Sequence, residues 1–584
     1  MKNIIIIGSG IAGLTAAITA ADAGARVSLV SPAISHQSQS VMAMGGINAS
    51  LNTKNENDSV LNHYNDTING GNELNHPIAV KRLCEDAPKL VEYLASIGTS
   101  FTRDPDGNID LRYFGGQKKK RTAYAGARTG KQIVNSLDTL LRRKEAESNV
   151  KTFYNWSFLS LILRDDNDSG DLSNEKEAIG VFIINRDTNE IKKLFADSII
   201  IASGGMNKVF SKTSGSTLND GFATGRLFMQ GIELGNMEMI QYHPTTVETS
   251  VKRMLITEAA RGEGGRLYVL KDGSPWYFME EWYPEFGALM PRDVVSRSIF
   301  KVCNQLGLGI DGKNQVYLDI SHLDEEIIDV KLDEVYETCT QYLNINPKEE
   351  PIPVYPGIHY FMGGIRTDEN HKTNIKRVYA AGECSCQYHG ANRLGGNSLL
   401  GAVHGGYIAA RESLKENDLS LSLDEMEEMA ISQLNKEMES LEKWKNQADF
   451  NCSVVSIENK IAEISKKSMG IIRNENDLNN ALIELDDLYD SIMGGILRMD
   501  SFNSYYDYLR VFVLILLSKT MVLSALNRKE SRGAHQREEY PERDDLNYKK
   551  TTSAMYMSNE VVIQFKDIVE KLSVDKSNAL EGDV

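Results

Sequence analysis

Four consecutive isoleucines, Ile4–Ile7, run into Gly8-Ser9-Gly10-Ile11-Ala12-Gly13 and then into an alanine-rich stretch. An unbroken β-branched run fits a central parallel strand buried on both faces. The three glycines have the GxGxxG spacing, and Val27–Val30 reads as the next strand. Strand, tight turn, helix and second strand together form the dinucleotide-binding fingerprint. Gly8 permits the turn, Gly10 lets the backbone approach a pyrophosphate, and Gly13 lets helix and strand pack closely. The helix N-terminus then faces the phosphates. A chain that begins this way is expected to build an α/β, Rossmann-like domain. The acidic ribose partner expected at the end of the second strand is replaced by Ser31.

Two later segments, from Ile199 to Gly205 and from Val378 to Glu383, read as further strands of that domain. Their C-terminal ends should approach the cofactor. The domain is therefore expected to be discontinuous, covering 1–236 and 356–412. An α+β capping domain is expected over 237–355. Residues 413–526 look helical and charge-rich, with Ile431, Leu434, Met438 and Leu441 at helical spacing. Residues 527–584 look polar and irregular.

Length and charge narrow the function. The 584 residues exceed one typical domain. The formal net charge of −17 disfavours nucleic acid and anionic membrane surfaces as partners. It leaves room for a small anion, because a few clustered arginines reverse the sign locally. The six cysteines show no CxxC pair. They read as scattered reduced thiols of a cytosolic protein, without the four thiolates of an iron–sulfur cluster. The strand pattern at residue 3 argues against a signal peptide. Leu509–Leu526 is apolar, but Arg510 and Lys519 interrupt it, so a buried helix is expected rather than a membrane span. Gly126–Lys131 faintly resembles a phosphate-binding loop, but it is one residue short and Gln132 replaces Ser/Thr.

Polar residues recur beside glycines. They lie in Gln241-Tyr-His-Pro-Thr245, Thr257-Glu-Ala-Ala-Arg261-Gly-Glu-Gly-Gly265, Pro291-Arg-Asp293, His359-Tyr-Phe-Met-Gly-Gly364 and Asn392-Arg-Leu-Gly-Gly-Asn-Ser398. Arginine and histidine beside glycine suit a carboxylate site. The spacing alone does not bring them together.

These motifs, with Ala380-Ala-Gly-Glu383, Ser531-Arg-Gly-Ala-His535 and Pro541-Glu-Arg-Asp544, occur in an order that resembles the flavoprotein subunit of succinate dehydrogenase and fumarate reductase. The resemblance covers almost the whole chain. It implies an FAD-binding domain interrupted by a capping domain, then a helical domain and a C-terminal region. It implies that Arg292 exchanges the proton with fumarate or succinate through a relay of Glu258 and Arg261. His243 and Thr257 would hold one substrate carboxylate, His359 and Arg393 the other, and Phe114 would pack against the dicarboxylate. FAD would be held by Gly8, Gly10, Gly13, Ser31, Ser38, Gln39, Ser40, Gly45, Gly46, Gly204, Glu383, Arg393, Ser398 and Leu399. The implied partners are an iron–sulfur subunit, with a membrane anchor or soluble donor beyond it. The implied location is the cytoplasmic face of the inner membrane.

One departure stands out. Family members that bind FAD covalently use a histidine just before Gly-Gly-Ile. Here Gln39 occupies that position in Ser38-Gln39-Ser40-Val41. A carboxamide forms no histidyl–flavin bond, so non-covalent FAD is expected, with His36 as the only nearby substitute. Without an electron-withdrawing imidazole the flavin should be a stronger reductant, which favours fumarate reduction. L-Aspartate oxidase, a relative with non-covalent FAD, is the alternative within the enzymes. A flavin-binding RNA-modifying protein and a non-catalytic electron-transfer scaffold fit the charge and the arginine–histidine set less well.

Overall fold

The computed structural model describes residues 1–164, 176–249, 252–445, 453–493 and 505–569. At its centre lies a five-stranded parallel sheet. Its strand order is Val378–Ala380, Ser198–Ile201, Asn3–Ile7, Arg26–Ser31, Val150–Tyr154. The isoleucine run behaves as a doubly buried strand must. Ile5 and Ile7 enter one apolar core, and Ile4 and Ile6 the other. Strand order reverses direction on either side of Asn3–Ile7, which opens a crevice at its C-terminal end.

Helix Ile11–Asp22 leaves that crevice and packs against helix Asn397–Ser413. Glycine makes both approaches close. A Cβ on Gly13 would lie 1.9 Å from the Gly8 carbonyl oxygen, and one on Gly406 would lie 2.2 Å from that of Ala12. An antiparallel meander, Trp156–Arg164, Glu177–Asn185 and Ile191–Phe195, joins the same apolar core as Ile5 and Ile7.

A second, six-stranded sheet has its own core, which includes Val269, Leu318 and Val354. Two of its strands, Ile240–Glu248 and Ile352–Phe361, pair antiparallel and place His243 opposite Gly357. Register shifts between Gln241 and Tyr242, and between His243 and Thr246, locally re-aim the side chains.

Helices Leu423–Lys445, Val454–Ser468, Glu475–Met493 and Tyr505–Asn527 follow. The last is long and apolar enough to cross a membrane, but 67% of its most apolar window is buried inside the protein. Arg510, which interrupts its apolar run, is paired with Glu458 at 2.7 Å. It is a core helix, as expected. The apolar stripe on Leu423–Lys445 is only partly inward. Leu434 and Met438 pack against the core, whereas Ile431 is exposed. The side chain of Leu441 lies outside the described residues.

The C-terminal region corrects an expectation. Within the stretch read as irregular, Thr551–Met557 and Glu560–Lys566 form a β-hairpin that extends a sheet through Leu234–Gly235. Ser558 and Asn559 both have positive φ, the geometry of a two-residue I′ turn that matches strand twist. A strand of Thr, Ser and Ala reads as polar, yet Thr551–Ala554 are buried. The five described cysteines are free and buried, and Cys452 lies outside the described residues.

The Gly13 contact gives the first prediction. Gly13→Ala should lower the melting temperature by overpacking worth roughly 1–3 kcal/mol and should leave the purified protein depleted in flavin. Unchanged melting and flavin absorbance would contradict the close approach.

Candidate active site

One cavity runs from the glycine-rich turn to the junction of the two large sheets. Gly8, Gly10, Ser31, Ser38, Gln39, Ser40, Gly45, Gly46, Gly204, Glu383, Ser398 and Leu399 line it, together with Phe114, His243, Thr257, Glu258, Arg292, His359 and Arg393. Of the residues singled out from sequence, Gly13 and Arg261 stand behind the wall instead. Gly13 packs on Gly8, and Arg261 packs behind Glu258.

The dinucleotide end is preformed. Gly8 has φ +114°, and a Cβ there would meet the Ala202 carbonyl oxygen at 2.2 Å. Ser40 Oγ accepts a hydrogen bond from the Ile11 amide at 3.1 Å, which ties the 38–42 loop to the helix start. Ser31 and Ser9 share a hydroxyl–hydroxyl hydrogen bond of 2.8 Å. Ser38 Oγ and Ser203 Oγ are buried without protein partners and line the cavity. Unpaired hydroxyls beside a glycine turn fit the phosphates and hydroxyls of a bound dinucleotide. Gln39 lines the cavity and accepts from the Ser216 amide through Oε1. His36 is exposed, with its ring bonded to Asn135 at 3.1 Å, and does not line the cavity.

Glu383 Oε1 accepts from the Phe361 amide at 3.2 Å. Burial pushes its carboxyl up to about 7, against the pull of that amide and of Arg393.

The other end is cationic and its polar side chains are buried. Glu258 is 1% exposed and holds three elements together. Its Oε2 accepts from Arg292 Nε at 2.8 Å and Nη2 at 2.6 Å. Its Oε1 accepts from the Gly115 amide at 2.9 Å and lies 3.3 Å from Arg261 Nη2. Burial alone would raise this carboxyl, but Arg292, Arg261 and the Gly115 amide hold it below the usual carboxylate range. Burial lowers Arg261 from its ordinary value, opposed by Glu258.

His243 Nδ1 sits 3.1 Å from the Thr245 carbonyl oxygen and 3.3 Å from its amide nitrogen, and Nε2 is buried with no partner. His359 Nδ1 lies 2.8 Å from Ser214 Oγ, and the two imidazoles are 5.2 Å apart. Both histidines titrate well below the ordinary value, first because they are buried and then because Arg292 is near. Both shifts favour the uncharged imidazole. Burial, then Arg292, pulls Arg393 down to about 9. Its guanidinium lies 4.4 Å from the centre of the Tyr360 ring, and its Nε is unpaired. Phe114 closes the floor: a Cβ on Gly45 would meet its ring at 2.7 Å.

Several residues escaped the sequence reading. Gln241 Oε1 accepts from Arg292 Nη1 at 3.1 Å, while its Nε2 donates to Asn392 Oδ1 and to the Arg393 carbonyl, each at 2.8 Å. Gln241 lay inside a motif already noted for its histidine. Tyr360, Ser214, Arg186, Asp220 and Tyr506 also line the cavity, and no local motif marks the last three.

A parallel-sheet dinucleotide crevice that meets a second sheet, with a buried arginine–carboxylate cluster on the helices beside it, defines an FAD-dependent oxidoreductase. Residues 3–399 match the FAD binding domain family, and 458–578 match the fumarate reductase flavoprotein C-terminal family. The chain is 38% identical to the succinate dehydrogenase flavoprotein subunit of Bacillus subtilis, covering 95% of this chain and 94% of that one. It is 34% identical to the fumarate reductase flavoprotein subunit of Mycobacterium tuberculosis, over 94% and 93%. A solved quinol–fumarate reductase with menaquinol superposes with TM-score 0.86 at 30% identity, covering 98% and 99%. The chain belongs to the succinate dehydrogenase/fumarate reductase flavoprotein subunit family.

Glu383 gives a pH prediction. In flavin-free protein its raised pKa means the folded state keeps a proton that the unfolded chain releases. Folding is therefore penalised as pH rises from the unfolded value, near 4.5, through about 7. Glu383→Gln should raise the melting temperature of the flavin-free protein at pH 8 more than at pH 5. Equal shifts at both pH values would refute the assignment.

Proposed function

We propose that this chain is the catalytic flavoprotein subunit that interconverts fumarate and succinate, with fumarate reduction favoured. The observation that carries the reading is the buried Arg261–Glu258–Arg292 set facing two neutral histidines across one cavity. FAD bound along that cavity supplies the two-electron hydride chemistry. Fumarate takes a hydride on one alkene carbon and a proton on the other.

The protein's share is binding, polarisation and proton delivery. His243, through Nε2–H when Nδ1 accepts from the Thr245 amide, and the Thr257 hydroxyl would grip one carboxylate. His359 and Arg393 would grip the other. Drawing charge into one carboxylate makes the alkene electrophilic. Phe114 would restrict the dicarboxylate to one side of the slot.

Arg292 would donate the proton. A guanidinium is a weak acid in water, but here it shares protons with Glu258, which also faces Arg261. As Arg292 gives its proton to the substrate carbon, Arg261 would give one to the Glu258 carboxylate, which would pass it to Arg292. Gln241 fixes the guanidinium from the opposite side.

Non-covalent FAD is supported by Gln39 lining the cavity where the family's linking histidine would stand, and by His36 pointing to Asn135. The relatives carry the word subunit in their names. With six cysteines outside any cluster spacing in this chain, the route for electrons would be an iron–sulfur subunit docked on it, with a membrane anchor beyond. That would place the chain at the cytoplasmic membrane face through its partners. Gln39 also keeps L-aspartate oxidase in view, and hydrogen peroxide formed with L-aspartate would favour it.

Two outcomes test the reading. Arg292→Ala should reduce fumarate reduction by at least about 10²–10³-fold while flavin stays bound, as expected for loss of a general acid; retained turnover would refute the acid role. Acid precipitation should release all yellow colour into the supernatant. Colour in the pellet would mean a covalent flavin.

A further inference from the structure

The cavity extends past the dinucleotide turn. Beyond Ser31 its wall includes Ser157 and Phe158, then Arg186, Asp220 and Tyr506. Tyr506 belongs to helix Tyr505–Asn527, so a helix of the C-terminal half reaches the cofactor cavity.

These side chains form a connected set. Asp220 Oδ2 accepts from Arg186 Nη2 at 3.1 Å and from Tyr506 Oη at 2.6 Å. Asp220 Oδ1 accepts from the Phe222 amide at 3.0 Å. Arg186 Nε donates to Ser157 Oγ at 2.7 Å. The Arg186 guanidinium lies 4.0 Å from the centre of the Tyr506 ring, and the Phe222 ring lies 4.0 Å from the same ring. Tyr506 is 1% exposed, whereas the Arg186 side chain keeps 27% of its surface open. Asn219, next in the chain to Asp220, lines the same cavity with its Nδ2 buried and without a partner.

Direction along the cavity follows from chemistry. The hydride-donating ring must face Arg292, so the opposite end takes the adenosine half. The dinucleotide fold puts that half at the ends of strands Arg26–Ser31 and Val150–Tyr154, and Ser157 follows the latter closely. Adenine is flat and neutral, and a guanidinium face held by an aromatic ring and a carboxylate offers it a stacking surface. The unpaired Asn219 Nδ2 is a donor that an oxygen of ribose or a nitrogen of adenine would satisfy.

We propose that Arg186 stacks on the adenosine end of FAD, held from behind by Tyr506 and Asp220, so that helix Tyr505–Asn527 supports the cofactor site. The inference rests on the cavity holding FAD with its reactive ring toward Arg292. A ligand that binds there stabilises the docked helix by linkage.

The test uses the full chain made in riboflavin-starved cells, which carries no flavin whichever way flavin is attached. Titration calorimetry with ADP and, separately, FMN probes the two halves of the site. Arg186→Met should weaken ADP about tenfold or more, the equivalent of roughly 1.4 kcal/mol, and leave FMN unchanged. Unchanged ADP affinity, or equal loss for both ligands, would overturn the stacking. Should Arg186→Met fail to fold, hydrogen exchange on the wild-type chain decides. ADP should slow exchange across residues 505–513, and no slowing would overturn the role of the helix. Absence of ADP binding to a wild-type chain that binds FAD would also overturn it. Failure to bind FAD would instead sink the cofactor reading beneath it.

Discussion

The carboxylate of Glu258 is the point on which the site depends. It is buried, yet Arg292, Arg261 and the Gly115 amide hold it ionised. Taking charges out of water costs several kcal/mol per ion, and only good geometry and filled lone pairs offset that. Both oxygens are occupied here. Such a cluster is poor at adding stability, but it is well suited to holding a proton path in one place. Because the Gly115 amide comes from the nucleotide-binding side and Arg292 from the capping side, the same carboxylate ties together the walls between which substrate must fit.

The groups around it are buried and carry more positive than negative charge. Strands Ile240–Glu248 and Ile352–Phe361 bring His243 and His359 within one ring contact of each other. Their neutrality follows from burial beside arginines, and it suits them to donate hydrogen bonds without adding charge. The cationic pocket sits inside a chain of net charge −17, so the local field is set by Arg261, Arg292 and Arg393 rather than by the surface. Gln241 links the Arg292 guanidinium to the backbone of Arg393.

Much of this was legible in the sequence, for reasons of differing strength. The isoleucine run and GxGxxG specify local backbone geometry, so the central strand and crevice follow from short-range physics. The arginine and histidine motifs were visible singly, but their convergence was not, because pairing between strands far apart in the chain brings them together. The family resemblance supplied what spacing could not. Hidden residues share one trait: their roles come from long-range packing. Asp220 and Tyr506 lie 286 residues apart and meet through a hydrogen bond. The Thr551–Lys566 hairpin was missed because its buried strand is built from small polar residues whose burial depends on a distant partner strand. Ile431 shows the converse, an apolar residue at helical spacing that remains exposed.

The most direct test of the central claim is a single-turnover measurement on Glu258→Gln. Flavin reduced in advance would be mixed with saturating fumarate and its reoxidation followed at the flavin absorbance band. Gln keeps the shape and the hydrogen-bond acceptor but cannot carry a proton. The account predicts a rate lower by about 10²-fold or more, with fumarate affinity little changed. A rate equal to that of the unaltered chain would show that the proton reaches Arg292, or the substrate, without Glu258.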